Sequence, residues 1–165
     1  MHDRSDPPQR TRFSTRADMQ AALMLLLGRV KRILRCAASD LSVFALDEVK
    51  PIAAMRDLLL AHPENRIQLL ADDTTWLDAR APRLRRLQRD FPHALLIRRA
   101  DPQDPVEDDM VVLGDDVDTL RLQPTIGIVG ELWCQNAPFA QPLNSAFDRR
   151  WEHASHNLPS QPLGL

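Results

Sequence analysis

The sequence predicts one α/β domain: a mainly parallel mixed sheet with helices on both faces and a β-hairpin near the C-terminus. Three observations carry this. Short apolar runs of strand composition alternate with stretches of helical periodicity, the order that builds parallel sheets from crossover units. Two apolar runs, Met110 to Leu113 and Val117 to Leu122, flank Gly114, Asp115 and Asp116, which is a hairpin signal. The 165-residue chain is 44% hydrophobic and 27% charged, enough to bury one core.

Residues 1–14 are polar, contain Pro7 and Pro8, and predict a flexible arm. Thr15 has the position of an N-cap, with Asp18 three residues on, and opens a helix to about Lys31. Met19, Ala22, Leu23, Leu26 and Val30 recur along its buried side. A strand over 33–38 follows and ends at Ser39 and Asp40. Asp47 is placed to cap a second helix, with Pro51 in its first turns and Ile52, Met55, Leu58 and Leu59 inward. His62 and Pro63 end it.

A second strand over 66–71 runs into Asp72 and Asp73. The spacing of Leu84, Leu87 and Phe91 predicts a helix over 80–90, and a third strand covers 94–99. Pro102 and Pro105 impose a loop before the hairpin. Ile126 to Val129 then predicts an edge strand, with Gly127 and Gly130 in a turn. A last helix spans 140–154 with Leu143, Phe147 and Trp151 in register. The domain therefore covers 15–155, and 156–165 predicts a loose tail. Trp76 and Trp133 fall in predicted loops.

Composition bounds the function. The net charge of -2 gives the whole chain no polyanion-binding character. The cations are 19 Arg against only Lys31 and Lys50, which favours bidentate anion contacts where guanidiniums converge. Cys36 and Cys134 lie too far apart for a zinc or disulfide framework and predict two buried thiols in a reducing cytoplasm. His62, His93, His153 and His156 have no metal-ligand spacing with Cys or Glu. Neither a Gly-x-Ser-x-Gly elbow nor a phosphate-cradling glycine motif is present, so no cofactor or metal is expected. The first residues lack an apolar leader region, and the run from Leu23 to Leu27 is too short to span a bilayer. A cytoplasmic location without membrane association is expected.

Three pieces of the chain carry a family likeness: Arg66 to Asp72, Met110 to Asp116, and Phe147 to Ala154 with Phe147 and Trp151 four apart. Together with the element order they resemble one half of a phospholipase D-like fold. Such halves commonly pair, so the resemblance implies a homodimer. Enzymes of that superfamily carry His-x-Lys-x-x-x-x-Asp just before and through the first hairpin strand. Laid on this chain, those positions fall at Glu107, Asp109 and Gly114, or one residue later at Asp108, Met110 and Asp115. Neither register supplies the nucleophile or the cation that phosphoryl transfer demands. The resemblance therefore implies a degenerate member of a bacterial group, serving as a binding or scaffold module for an unidentified ligand or protein partner.

Two other readings stand beside it. Asp40, Asp72, Asp73 and Arg98 lie at strand ends, where open α/β sheets bind ligands, and would form the crevice of an enzyme acting on a small polar substrate. Alternatively, Arg4, Arg10, Arg12 and Arg16 of the arm, with Arg80, Arg83, Arg85, Arg86 and Arg89 of the third helix, would contact nucleic acid. Against that, Phe13 is the only aromatic in either segment. Residues 101–118 hold eight acids and no base, and are equally a partner for the arginine-rich helix, within the chain or across a dimer. They lack the spacing of a calcium loop.

Overall fold

The computed structural model describes residues 9–160. Seven strands form one sheet: β1 (Gln9–Phe13), β2 (Ile33–Asp40), β3 (Arg66–Asp73), β4 (Leu95–Arg99), β5 (Val111–Gly114), β6 (Asp118–Leu122) and β7 (Gly130–Cys134). Across the sheet they lie in the order β1-β7-β6-β5-β2-β3-β4. β2, β3 and β4 are parallel. β5 joins β2 antiparallel, and β6, β7 and β1 continue that way to the other edge. The helices are α1 (Arg16–Arg29), α2 (Val49–Ala61), α3 (Thr75–Arg80), α4 (Pro82–Asp90) and α5 (Ala137–His153).

The crossover helices sit where the hydrophobic periodicity put them. Thr15 caps α1 by accepting from the Asp18 amide at 3.1 Å, and Met19, Leu23 and Leu26 are buried beneath the helix. The main core, from Phe13 through Cys134, lies between the sheet and α1, α2 and α4. A smaller core on the opposite face packs Phe147 and Trp151 of α5 against Ala37, Leu70, Val111 and Leu113. Burying Phe147 there contributes about 2–3 kcal/mol.

Several elements depart from expectation, each for a local reason. Gln9–Phe13 is an edge strand paired with β7, and not part of a flexible arm. Its single apolar residue, Phe13, is buried, while Arg10 stacks 5.0 Å over Trp133 and pairs with Glu131. The remainder of the predicted arm, 1–8 with Arg4, lies outside the described residues. Residues 126–129 form the connecting loop, and the strand begins at Gly130. A Cβ at Gly130 would collide with the Arg121 carbonyl and come within 2.8 Å of the Phe13 ring. Trp133 therefore lies on an interior strand, and Trp76 lies on α3.

Asp47 does not cap α2, whose N-cap is Glu48 without a side-chain bond. It accepts instead from the Leu84 amide at 2.8 Å and so caps α4 from a distant loop. α5 starts at Ala137, earlier than its apolar register suggests, because Asn136 accepts from the Phe139 amide at 3.1 Å. Pro142 is tolerated inside it at the loss of one backbone bond. The tail is not loose through residue 160. The Leu158 amide donates to the Ile97 carbonyl at 2.8 Å and Gln88 donates to the Leu158 carbonyl at 3.0 Å, covering the exposed edge of β4. Residues 161–165 lie outside the described residues.

Candidate functional site

The strand-end residues stand close in sequence register but serve separate partners. Asp40 and Asp73 are Cα partners on β2 and β3. Asp40 accepts from the Ser42 amide at 2.8 Å and caps a 3-10 turn over Leu41–Phe44. Asp73 accepts from the Thr75 amide at 2.8 Å. The Thr75 hydroxyl and amide hold its carboxyl below the usual carboxylate range, with the Arg99 charge adding to them. Asp72 accepts from the amides of Val106 and Glu107 at 2.8 and 2.9 Å, which fixes a turn where Glu107 has a left-handed φ of 52°.

Arg98 takes no part in that set. Its guanidinium lies 4.3 Å over the Trp151 ring, and it donates to Asn157 and to the Trp151 carbonyl. The cation facing Asp73 is its neighbour Arg99, which also donates to the Thr74 hydroxyl at 2.7 Å. The four proposed crevice residues thus act as turn and helix braces, and the structure does not assemble them into one site. Among the described residues no group of His, Cys, Asp and Glu is arranged to hold a metal ion.

A denser constellation lies beside the segment just before β5, and it draws on α5. Asp104 meets Arg149 at 3.2 Å, His153 at 3.2 Å and Arg150 at 3.7 Å. Asp109 meets Arg150 at 3.0 Å and Arg121 of β6 at 3.5 Å. The hydrogen bond from Arg149 holds the Asp104 carboxyl below its ordinary range, with His153 adding to it, and the same pair raises Arg149. Within the chain, Asp104 and Asp109 of the acidic segment therefore pair with the end of α5, while Asp116 and Asp118 pair with Arg35 and Arg29. Arg83 and Arg85 of α4 pair with Asp47 and Asp78 instead. Sequence reasoning missed this cluster because its ion pairs to α5 join residues 41 or more positions apart, with no shared motif.

The turn between β5 and β6 is braced in the same manner. Asp115, at φ 50°, accepts from the amides of Lys31, Arg32 and Ile33 at 2.9–3.1 Å. Asp118, 2% exposed, holds Arg29 at 2.9 Å and accepts from the Gln135 amide.

Solved structures give this architecture a class. It is similar to Nuc, a phospholipase D family member from Salmonella typhimurium, with TM-score 0.66 at 12% identity, over 91% of this chain and 98% of that one. NucT from Helicobacter pylori matches with TM-score 0.54 at 7% identity, over 91% of this chain and 99% of that one. TrmBL2, described as an archaeal chromatin protein with a novel mode of DNA binding, matches with TM-score 0.68 at 10% identity. That match covers 93% of this chain but spans only 56% of TrmBL2. At such identities the likeness is one of fold alone, and the fold is phospholipase D-like. Residues 15–160 match the family described as Domain of unknown function (DUF7931), and the chain belongs to that family. No curated protein matches it in sequence.

Proposed function

We propose that this chain is a phospholipase D-like binding module without phosphodiesterase activity, and that the acid–arginine cluster beside β5 is its recognition surface. The observation that carries this is the composition of that cluster. Where superfamily enzymes place a nucleophilic His and a cationic Lys, this chain has acids or Met110, and Asp109 is engaged by Arg150 and Arg121. The carboxylate that would repel an anion is thereby neutralised. Three guanidiniums (Arg121, Arg149 and Arg150) face two carboxylates (Asp104 and Asp109), one more cation than anion among these five groups, with Glu107 and Asp108 exposed on the same loop. A partner presenting an anionic group fits such a surface, by exchanging one ion pair for another.

Two measurements test this. Purified protein incubated with bis(p-nitrophenyl) phosphate across neutral pH, with and without divalent cations, is expected to release no nitrophenol above buffer. Turnover would refute the non-catalytic reading. Titration with pyrophosphate as a probe anion is expected to weaken about tenfold or more when Arg149 and Arg150 are both changed to Ala. An unchanged titration would remove the cluster as a recognition surface.

A second reading, nucleic-acid binding, is favoured by one observation. Arg80, Arg86 and Arg89 of α3 and α4 are exposed and have no ion-pair partner among the described residues. The description of TrmBL2 as DNA-binding points the same way. Anisotropy of a labelled DNA duplex at low salt, compared with an Arg86→Glu, Arg89→Glu variant, decides it: retention lost with the variant and with added salt supports this reading, and no retention ends it.

A further inference from the structure

We infer that the outer edge of β1 accepts an extended segment of a partner protein as one more strand of the sheet. The segment's apolar side chains face α1, and an acidic one lies beside Arg12. This does not depend on what the cluster beside β5 binds.

The two edges of the sheet are finished differently. At β4 the tail closes the edge, with the Leu158 amide bonded to the Ile97 carbonyl. β1 stands at the other end of the strand order and pairs with β7 in unbroken register from Gln9 to Phe13. On its outer side it makes no backbone bond among the described residues. Alternate amides and carbonyls of β1 therefore point away from the sheet, which is a template for a further strand. Neither a proline nor a bulge interrupts the segment, so its only guard is charge.

The two faces of this edge differ in chemistry. Phe13 packs into the main core beneath α1, so Thr11 shares that face while Arg10 and Arg12 turn to the other. On the α1 face a cavity of 390 Å³ is walled by Thr11, Ala21, Ala22, Leu25 and Leu132. Leu25 is 53% exposed there. On the opposite face a cavity of 450 Å³ is walled by Arg10, Arg12, Ser14, Gln123 and Glu131. A strand added beside β1 would lie about 4.8 Å further out and turn alternate side chains to these two faces.

Charge decides which strand fits. Glu131 lies directly across from Arg12 in register, but it is held by Arg10, which also stacks on Trp133. Arg12 is exposed and has no ion-pair or hydrogen-bond partner among the described residues. A second copy adding antiparallel through its own β1 would set arginine against arginine on one face, which is repulsive. A segment with an acid beside Arg12 supplies the cross-strand pair that Glu131 does not. The apolar residues on either side of that acid then turn into the cavity below Leu25. Main-chain bonds provide the affinity, and the alternation of apolar and acidic side chains provides the specificity.

Anisotropy of a fluorescein-labelled peptide in which Val alternates with Glu, titrated with the full chain, tests this. Binding is expected with a dissociation constant of about 100 μM or tighter. A peptide with Lys in place of Glu should bind about tenfold more weakly, and Arg12→Glu should reverse that preference with the far-ultraviolet circular dichroism unchanged. Leu25→Asp should weaken the Val–Glu peptide about tenfold, again without loss of structure. Two further peptides of the same charge, N-methylated at one or the other set of alternate amides, isolate the strand pairing. One set faces β1 and its methylation should weaken binding about tenfold or more, while the other set should tolerate it. The inference is overturned by no binding up to about 1 mM, by equal tolerance of both methylation patterns, or by a charge preference that Arg12→Glu leaves unchanged. Protection of the β1 amides from hydrogen exchange that rises with the concentration of the chain alone would also overturn it, and would assign the edge to a second copy.

Discussion

Single carboxylates hold together parts of this chain that share no secondary structure. Asp115 is the plainest case: one side chain on the hairpin turn accepts three consecutive amides at the entry to β2. Its left-handed backbone is a conformation that Asn shares and Ala resists. Asp115→Ala is therefore expected to cost about 2–3 kcal/mol by urea denaturation, from orphaned donors and backbone strain together. Asp115→Asn keeps one acceptor oxygen and the backbone preference, and should cost about half as much. A loss within about 0.5 kcal/mol for Ala would show that water satisfies those amides equally well. The cysteines are the opposite case. Burial pushes the Cys36 thiol far up and raises Cys134 as well, so neither offers a thiolate near neutral pH. Labelling by a thiol reagent should keep pace with unfolding, and fast labelling of the native protein would contradict this.

At the scale of elements, α5 is the piece held most by charge. Its C-terminal turn is tied to the loop before β5 through Asp104, and to β4 through the bond from the Ser155 amide to the Arg99 carbonyl. The carboxyl of Asp104 lies below its ordinary value of 3.8 in the folded chain. A depressed folded value means that the contribution is fully present above the unfolded value and fades as pH falls through the folded one. The stability of the protein should therefore decline on acidification below about pH 4, and part of that decline should vanish in Asp104→Asn. Chemical denaturation at pH 3 and pH 6 for the two proteins measures it. Identical acid sensitivity in both would place the effect on other carboxylates. The tail behaves as a further element, since Leu158 continues the edge of β4 where another strand would otherwise add.

At the scale of the whole molecule, what could be read in advance divides along the sheet. The β2-α2-β3-α4-β4 half was legible because each element there carries a full period of apolar residues, such as Leu84 and Leu87 on α4, which the fold leaves where the pattern puts them. The antiparallel half was legible only at the hairpin. β1 hides its pairing behind a single buried Phe13, and β7 reads as loop because Gly130 and Glu131 precede its aromatic residue. The crevice residues were misjudged for a different reason: a carboxylate at a strand end is as useful for bracing a turn as for chemistry, and Asp40, Asp72 and Asp73 all do the former. The cluster that replaces them depends on α5 crossing the sheet, which no local pattern announces.

Despite that division the two halves share one core. Leu34 of β2, Leu69 of β3, Leu120 of β6 and Leu132 of β7 belong to a single buried cluster beneath α1, α2 and α4. Cooperativity follows from such continuity, because no strand can leave the sheet without opening contacts in both halves. Leu84→Ala under α4 and Leu132→Ala on β7 should each cost about 2–5 kcal/mol. The test is whether each lowers the whole transition. Trp133 reports on the antiparallel half and Trp76 on the α3–α4 side, so variants retaining one tryptophan at a time can be followed by fluorescence beside circular dichroism. Coincident midpoints for both reporters in both core variants are the expected result. A Leu132→Ala protein in which Trp133 melts first, while Trp76 and the helices persist, would show that the hairpin half is a separate cooperative unit attached through the β2–β5 pairing.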